Sequence, residues 1–136
     1  MTYEGWKLTV GNQGVNMNDN AKKWVKALRS KEFKQCNGQL KKGDGYCCLG
    51  VSCVLYAKEN NENWEKDDNG NDMLLKEAYV LPTDVMNWLG LNCLQGIYGK
   101  IKGHPRKSLA DDNDGGKTFS EIADIIESEP EGLFKD

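Results

Sequence analysis

The eleven residues from Gly45 to Leu55 (GYCCLGVSCVL) constrain most strongly what this chain can fold into. Eight of them are apolar or cysteine, in a chain of 136 residues that is otherwise polar. The apolar run continues to Ala57, which is long for a strand, so we expect a buried helix. Glycine inside a helix costs about 1 kcal/mol relative to alanine, so Gly50 predicts that another backbone approaches closely there.

Three further helices are expected around this centre. The first begins after the capping residues 18–20, and the second begins at a capping box formed by Thr118 and Glu121. The third is short: it begins after Pro82 with Thr83 as its cap, and Gly90 stands where a left-handed residue usually ends a helix. The apolar stripes of the first two, at i, i+3, i+4 and i+7, are Ala21, Trp24, Val25 and Leu28, and Phe119, Ile122, Ala123 and Ile126.

Strand signals are few and short. Residues 35–40, the turn 41–45 and Tyr46 are typical of a hairpin, and residues 91–109 indicate a long glycine-containing loop. We therefore expect an α+β fold, with a small antiparallel sheet packed with about four helices around a central cysteine-rich helix. Residues 1–17 are interpreted as an N-terminal arm or extension, and residues 18–136 as a single α+β domain.

Charge is divided into blocks along the chain. The net charge is −3, but residues 17–60 carry +5, 61–96 carry −5, 97–107 carry +4 and 108–136 carry −7. The overall balance argues against a general nucleic-acid or membrane-surface binder. The blocks are either solvated loops or opposite faces, a basic one suited to an anionic ligand and an acidic one suited to a protein partner.

Five cysteines without an evident secretory leader predict a reduced, cytoplasmic protein, and no apolar run is long enough to span a membrane. Cys47, Cys48 and Cys53 are most simply interpreted as buried, inert thiols, although a cysteine at a helix N-terminus could also be a nucleophile.

The spacing of the cysteines disfavours a zinc site. Residues 110–121 imitate a calcium loop only in part, because Ala110 stands at its first position. We expect neither a metal nor a cofactor.

The densest basic cluster is the best candidate for an anion site. It carries Arg106, whose guanidinium can grip a phosphate through two parallel hydrogen bonds. Tyr98 and Trp88 could stack a base, although aromatic residues are more often part of the core. The candidate ligand-binding residues are Arg106, His104, Lys107, Lys102, Lys100, Tyr98 and Trp88.

Five segments resemble a group of small, uncharacterised proteins encoded by phages and prophages: WVKAL (24–28), GYCCLGVSC (45–53), LP (81–82), NWLGL (87–91) and residues 113–134. The resemblance covers about residues 18–134 and transfers no active site. It implies a setting in which small accessory proteins modify host physiology or counter host immunity, by blocking a protein or sequestering a nucleotide signal.

Three functions are open at this point. The first is a non-enzymatic counter-defence protein that sequesters an anionic nucleotide immune signal, held in a pocket between protomers of a homo-oligomer. The second is an inhibitor that occupies a host defence or nucleic-acid-binding protein with its acidic C-terminal face. The third is a cysteine-dependent enzyme. Of these three functions we expect the first, and we expect no membrane partner.

Overall fold

The computed structural model describes residues 17–99 and 107–135, and these form an α+β fold. The expected arm lies outside these ranges, apart from the buried Met17. The helices are α1 (Asp19–Arg29), α2 (Cys48–Asn60), α3 (Thr83–Leu89), α4 (Leu109–Asp114) and α5 (Phe119–Glu127). The strands are β1 (Lys34–Gln35), β2 (Lys41–Lys42), β3 (Gly45–Tyr46), β4 (Glu65–Lys66), β5 (Asp72–Met73), β6 (Ile97–Tyr98) and β7 (Lys107–Ser108).

Helix α2 is the centre of the fold, as its apolar sequence predicts. Helices α1, α3 and α4 pack against it, while α5 packs on α1 and α4. Its first turns are buried on all sides, because Cys48, Leu49, Val51 and Cys53 are each no more than 1% exposed. A helix that is apolar all round is a core helix, and here it holds the other elements in place.

The helix caps follow the sequence at most positions. Asn18 accepts a hydrogen bond from the Ala21 amide at 2.8 Å, and Thr118 and Glu121 form the expected capping box. Gly90 ends α3 in the left-handed conformation, with φ 78°. The expectation for Thr83 is wrong: Pro82 is the N-cap and no side chain caps α3, because Thr83 is already the first helical residue.

The small sheets differ from the expected hairpin in one respect. Strands β2 and β3 do form an antiparallel hairpin, but its first strand is Lys41–Lys42 and not residues 35–40. Strand β1 instead pairs with β3 in parallel, with Gln35 opposite Tyr46. The stretch expected to be one long loop also contains a pair of strands, β6 and β7, with Tyr98 directly opposite Lys107.

Candidate functional site

The central thiols are built into the core. Cys47 is the N-cap of α2, where its sulfur accepts from the Gly50 amide, and Cys48 donates to the carbonyl of Leu109 at 3.5 Å. Burial raises the pKa of Cys47 to about 11 and also raises the pKa values of Cys48 and Cys53. A nucleophilic cysteine needs a lowered pKa, so these environments favour inert thiols.

Asn113 joins the start of α2 to two other parts of the chain. Its side chain is fully buried, and its oxygen accepts from the backbone amide of Cys48 at 3.0 Å and from the side chain of Gln35 at 2.8 Å. Its amide nitrogen donates to the carbonyl of Cys36 at 2.8 Å. Every one of these bonds serves the fold, so Asn113 is a positioning residue of the core.

Much of the acidic C-terminal block is engaged within the molecule. Asp112 accepts from the hydroxyl of Tyr98 at 2.5 Å, and Asp114 accepts from the Gly38 amide at 2.9 Å. Asp124 and Glu127 both pair with Arg29 on α1, which raises the pKa of that guanidinium. The first part of the segment 110–121 that imitates a calcium loop belongs to helix α4, and its last part belongs to α5. Among the described residues, no group of three or more metal-ligating side chains is arranged to hold an ion.

The residues predicted to bind an anion divide into two sets. Arg106, His104, Lys102 and Lys100 lie outside the described residues. Tyr98 and Lys107 are brought together as facing residues of β6 and β7. Tyr98 is buried, and its pKa is raised by burial and by its hydrogen bond to Asp112, so its hydroxyl is committed to the fold.

Trp88 contacts a different part of the molecule. Its ring meets Tyr56 of α2 edge to face, with the centroids 5.6 Å apart. Its carbonyl accepts hydrogen bonds from the side chains of Asn18 and Asn20 at the start of α1. These contacts assign Trp88 to the packing of α3 on α1 and α2, without assigning it a ligand.

Two open cavities flank the β6–β7 pair. The larger, of about 340 Å³, has no cationic residue among its described lining residues, which are Asn92, Cys93, Ile97, Tyr98, Gly99 and Gly132. The smaller, of about 240 Å³, has Lys107 beside Asp111. Among the described lining residues of the two cavities, Lys107 is the cationic one, and Asp111 lines the same cavity.

A second candidate surface contains three half-buried aromatic residues, Phe33, Tyr46 and Trp64. Tyr46, on the central strand β3, lies 5.8 Å from Phe33 and 6.1 Å from Trp64, centroid to centroid. The interplanar angles are 86° and 55°, so neither neighbour is stacked face to face on Tyr46. We call these three residues the aromatic row. All three rings pack against the hydrophobic core with part of their surface, and a planar ligand would have to use the part that is exposed.

A lysine lies over the middle of this row. Lys41 is directly opposite Tyr46 on the neighbouring strand, and its ammonium is 5.7 Å from the centroid of the Tyr46 ring, within the range of a cation–π contact. The same ammonium donates to the carbonyl of Gly43 at 2.7 Å. The sheet register and the turn together hold this charge above the ring.

Asp72 links Lys41 to a second lysine. Its carboxylate lies 3.5 Å from the ammonium of Lys41 and 3.0 Å from that of Lys66, its facing residue on β4. Burial opposes ionisation of Asp72, but its hydrogen bonds and the two positive charges outweigh burial and lower its pKa. Lys66 has a side chain that is 66% exposed and can still meet a ligand. We call Lys41, Asp72 and Lys66 the charged triad.

Sequence reasoning missed the aromatic row. The sequence predicts only that Tyr46 belongs to a hairpin, and Phe33 lies between α1 and β1. One signal was available: Trp64 is an isolated tryptophan in the polar stretch 58–72. The two contacts that unite the row join residues 13 and 18 positions apart, and no local pattern reports them.

Comparisons with known proteins give one match. A family model described as a domain of unknown function (DUF8296) matches residues 17–130. No curated protein and no solved structure matches the chain. None of the helices in the described ranges is long and apolar enough to cross a membrane.

Proposed function

The chain belongs to the DUF8296 family, and we propose that it is a non-enzymatic binding protein that holds an anionic, nucleotide-like ligand on the aromatic row. One observation carries the proposal: the ammonium of Lys41 lies over the Tyr46 ring, 5.7 Å from its centroid, and the half-buried rings of Phe33 and Trp64 both contact Tyr46. Stacking of bases on aromatic rings beside positive charge is the usual way in which proteins bind single nucleotides and strands without a phosphate loop.

The local charge supports an anionic ligand. Phe33, Tyr46 and Lys41 all belong to the block 17–60, which carries a net charge of +5. The exposed Lys34 and Lys42 lie on the strands on either side of β3. Because the whole chain carries −3, a small ligand suits it better than a long nucleic acid, which would meet repulsion beyond this surface.

The proposed setting comes from the sequence resemblance. We propose an accessory protein encoded by a phage that sequesters a nucleotide immune signal in the cytoplasm of the host cell. A second protomer in a homo-oligomer would cover the outer side of a ligand whose inner side meets the aromatic row.

Two alternatives are less well supported. An inhibitor acting through the acidic C-terminal block would have to use carboxylates of which Asp112, Asp114, Asp124 and Glu127 already have partners within the molecule. A cysteine-dependent enzyme would need one of the buried thiols, whose pKa values are raised.

Ligand screening tests the proposal. The purified protein is mixed with AMP, ATP, cyclic dinucleotides, cyclic trinucleotides and cyclic ADP-ribose isomers, and thermal shift and tryptophan quenching are recorded. We expect at least one ligand to raise the melting temperature, and added salt to weaken its binding.

Matched variants locate the site. Trp64→Leu should weaken binding, by about tenfold if one stacked base is lost. Tyr79→Leu is the control, because Tyr79 is the large hydrophobic side chain that is most exposed among the described residues, at 56%. Binding that is unaffected by Trp64→Leu but abolished by Lys107→Gln or Arg106→Ala would overturn the proposed site and move it to the β6–β7 region.

A further inference from the structure

We infer that Cys36 and Cys47 are a redox-sensitive pair, which a peroxide converts into a disulfide that closes the loop 36–47. Both are free thiols, and each directly follows one strand of the parallel pair β1–β3. The inference does not depend on the proposed function, because no ligand takes part in forming the bond.

The register of the parallel pair brings the two cysteines side by side. In its last pair of residues, Gln35 lies opposite Tyr46, and the next positions along the two strands are Cys36 and Cys47. The amide of Cys36 donates to the carbonyl of Tyr46 at 2.9 Å, which ties Cys36 to the residue before Cys47. Neighbouring strands are about 4.8 Å apart, and residues joined by a disulfide have Cα atoms about 4.4–6.8 Å apart. The backbone spacing therefore suits a disulfide.

The side chains of the two cysteines project from the same face of β3. A Cβ built on Gly45 would lie 3.0 Å from the Cβ of Cys36, so Cys36 lies over the face to which position 45 points. Alternate residues of an extended chain point to the same face, and Cys47 is still extended, with φ −80° and ψ 175°. Because residue 45 is glycine, it places no side chain between the two thiols.

The present hydrogen bonds of the two sulfurs are weak. The Cys36 thiol donates to the carbonyl of Gln39 at 3.6 Å, and the Cys47 sulfur accepts from the Gly50 amide at 3.4 Å. Sulfur is a weak donor and a weak acceptor, so little is lost when these bonds break. Burial is the main reason that the pKa of Cys47 is raised to about 11, and the charge of Cys36 contributes, so the two sulfurs lie within electrostatic reach of each other.

The difference in burial gives the two thiols different roles. Cys36 is half-buried and meets the oxidant, whereas Cys47 is only 6% exposed. In the first step the Cys36 sulfur attacks hydrogen peroxide. An S–O bond forms and the O–O bond breaks, so peroxide is reduced to water and Cys36 is oxidised to a sulfenic acid. Burial raises the pKa of Cys36, so this step should be slower than at an exposed thiol.

In the second step the Cys47 sulfur attacks the sulfur of Cys36. The S–S bond forms, the S–O bond breaks, and the departing hydroxide takes the proton of Cys47 and leaves as water. Two thiols and one peroxide thus give one disulfide and two waters. The raised pKa of Cys47 does not prevent this step, because its electrophile is held beside it and need not diffuse into the core.

The disulfide would enclose the β2–β3 hairpin, which carries Lys41 and Tyr46. Closing a loop lowers the entropy of the unfolded chain, so the oxidised protein should be the more stable form. Oxidation would therefore hold this hairpin more firmly against the start of α2.

The test treats the folded protein with excess hydrogen peroxide at pH 8, blocks the remaining thiols with iodoacetamide and digests it with trypsin without reductant. Trypsin cuts after Lys41 and Lys42, so the two cysteines fall on different peptides. We expect mass spectrometry to find these peptides joined, with the loss of two hydrogen atoms, and dithiothreitol to separate them. The oxidised protein should melt at least about 3 °C higher than the reduced protein. Conversion of Cys36 to a sulfinic acid without the cross-link would overturn the inference, as would a cross-linked protein that melts lower.

Two variants identify the partners. Cys47→Ser keeps a good N-cap on α2 and should stop the reaction at the sulfenic acid of Cys36, which dimedone traps. Cys93→Ser is the matched control, since it removes the other half-buried thiol and should leave the cross-link unchanged. A cross-link that persists in Cys47→Ser would assign the partner to Cys48 and contradict the pairing. Loss of the cross-link in Cys93→Ser would contradict it as well.

Discussion

The carbonyl oxygen of Leu40 occupies the space in which a side chain on residue 50 would begin. A Cβ built on Gly50 would lie 1.9 Å from that oxygen. The same carbonyl accepts a hydrogen bond from the Cys47 amide at 3.1 Å, so it is held against the start of α2. The segment before β2 thus contacts the central helix through its backbone.

Replacement of Gly50 by alanine should therefore destabilise the protein, although alanine is the better helix former by about 1 kcal/mol. We expect a net loss of about 1–3 kcal/mol, the usual cost of overpacking, and a larger loss for Gly50→Leu. Urea unfolding followed by circular dichroism measures it. An unchanged midpoint in both variants would mean that the Leu40 segment can move away at no cost.

The capping box of α5 should contribute measurably to stability. Thr118 accepts from the Glu121 amide at 3.1 Å, and the carboxylate of Glu121 accepts from the Thr118 amide at 2.9 Å. Thr118→Ala should cost about 1 kcal/mol in the free energy of unfolding. Ser120→Ala, at an exposed position in the same helical turn, is the matched control and should change little.

Removal of the Asn113 side chain should be among the most damaging single changes. Asn113→Ala leaves the buried Cys48 amide without this partner and removes a part-buried hydrogen bond to the Cys36 carbonyl, and an unsatisfied buried group costs about 1–3 kcal/mol. We expect a loss of at least about 2 kcal/mol. Asn60→Ala removes an exposed side-chain bond to the Tyr56 carbonyl and should cost far less. Similar losses in the two variants would refute the importance of the buried network.

The charged triad should make stability depend on pH at the acidic end. A carboxyl whose pKa is lower in the folded than in the unfolded state stabilises the fold above its unfolded pKa, and that contribution is lost as the pH falls through the folded value. Asp72 is such a group, so its contribution should begin to be lost as the pH falls below about 4 and should disappear once the pH is below the folded pKa. Unfolding free energies measured between pH 6 and 3 should fall less steeply in Asp72→Asn. Asp44→Asn, at an exposed pair with Lys34, is the control; equal slopes in the wild type and Asp72→Asn would contradict the assignment.

Thiol labelling should separate the cysteines by burial. Cys93 and Cys36 are half-buried, whereas Cys47, Cys48 and Cys53 are buried with raised pKa values. With iodoacetamide at pH 8, we expect Cys93 to be modified first and the three central thiols only after unfolding, because the thiolate is the reacting form. Mass spectrometry of digested samples shows the order. Rapid modification of Cys48 in the folded protein would contradict this prediction and would support a cysteine-dependent enzyme.

Local patterns predicted four of the five described helices, because each of these four leaves a local signal, whereas the six-residue α4 (Leu109–Asp114) was not predicted. The apolar stripe of α1, the capping box of α5 and the continuous apolar run of α2 are all readable within about one to three turns of helix. The α+β class is confirmed for the same reason. Thr83 shows the limit of local patterns. A threonine that follows a proline can be either the N-cap of a helix or a residue of its first turn, and the sequence does not distinguish the two.

The strand pairs and the candidate site depend on contacts between distant residues. The parallel pairing of Gln35 with Tyr46 and the link from Asp72 to Lys41 have no counterpart in the neighbouring sequence. The basic cluster that the sequence analysis predicts as an anion site lies mostly outside the described residues. The aromatic row was not predicted because its rings come together only when β3 and the segments just before β1 and β4 do.

The hydrogen bond from the Cys48 amide to Asn113 has a consequence for the size of the folding unit. The two residues are 65 positions apart, so the first turn of the central helix is closed by a side chain from α4. Exchange of that amide proton with solvent therefore requires α4 to separate from α2, and its rate should match that of amides deep in the core. A fragment that ends before α4 would lack both this partner and the carbonyl of Leu109 that Cys48 uses. Residues on either side of the segment 100–106 are thus bound into one cooperative unit, and neither part is expected to fold without the other.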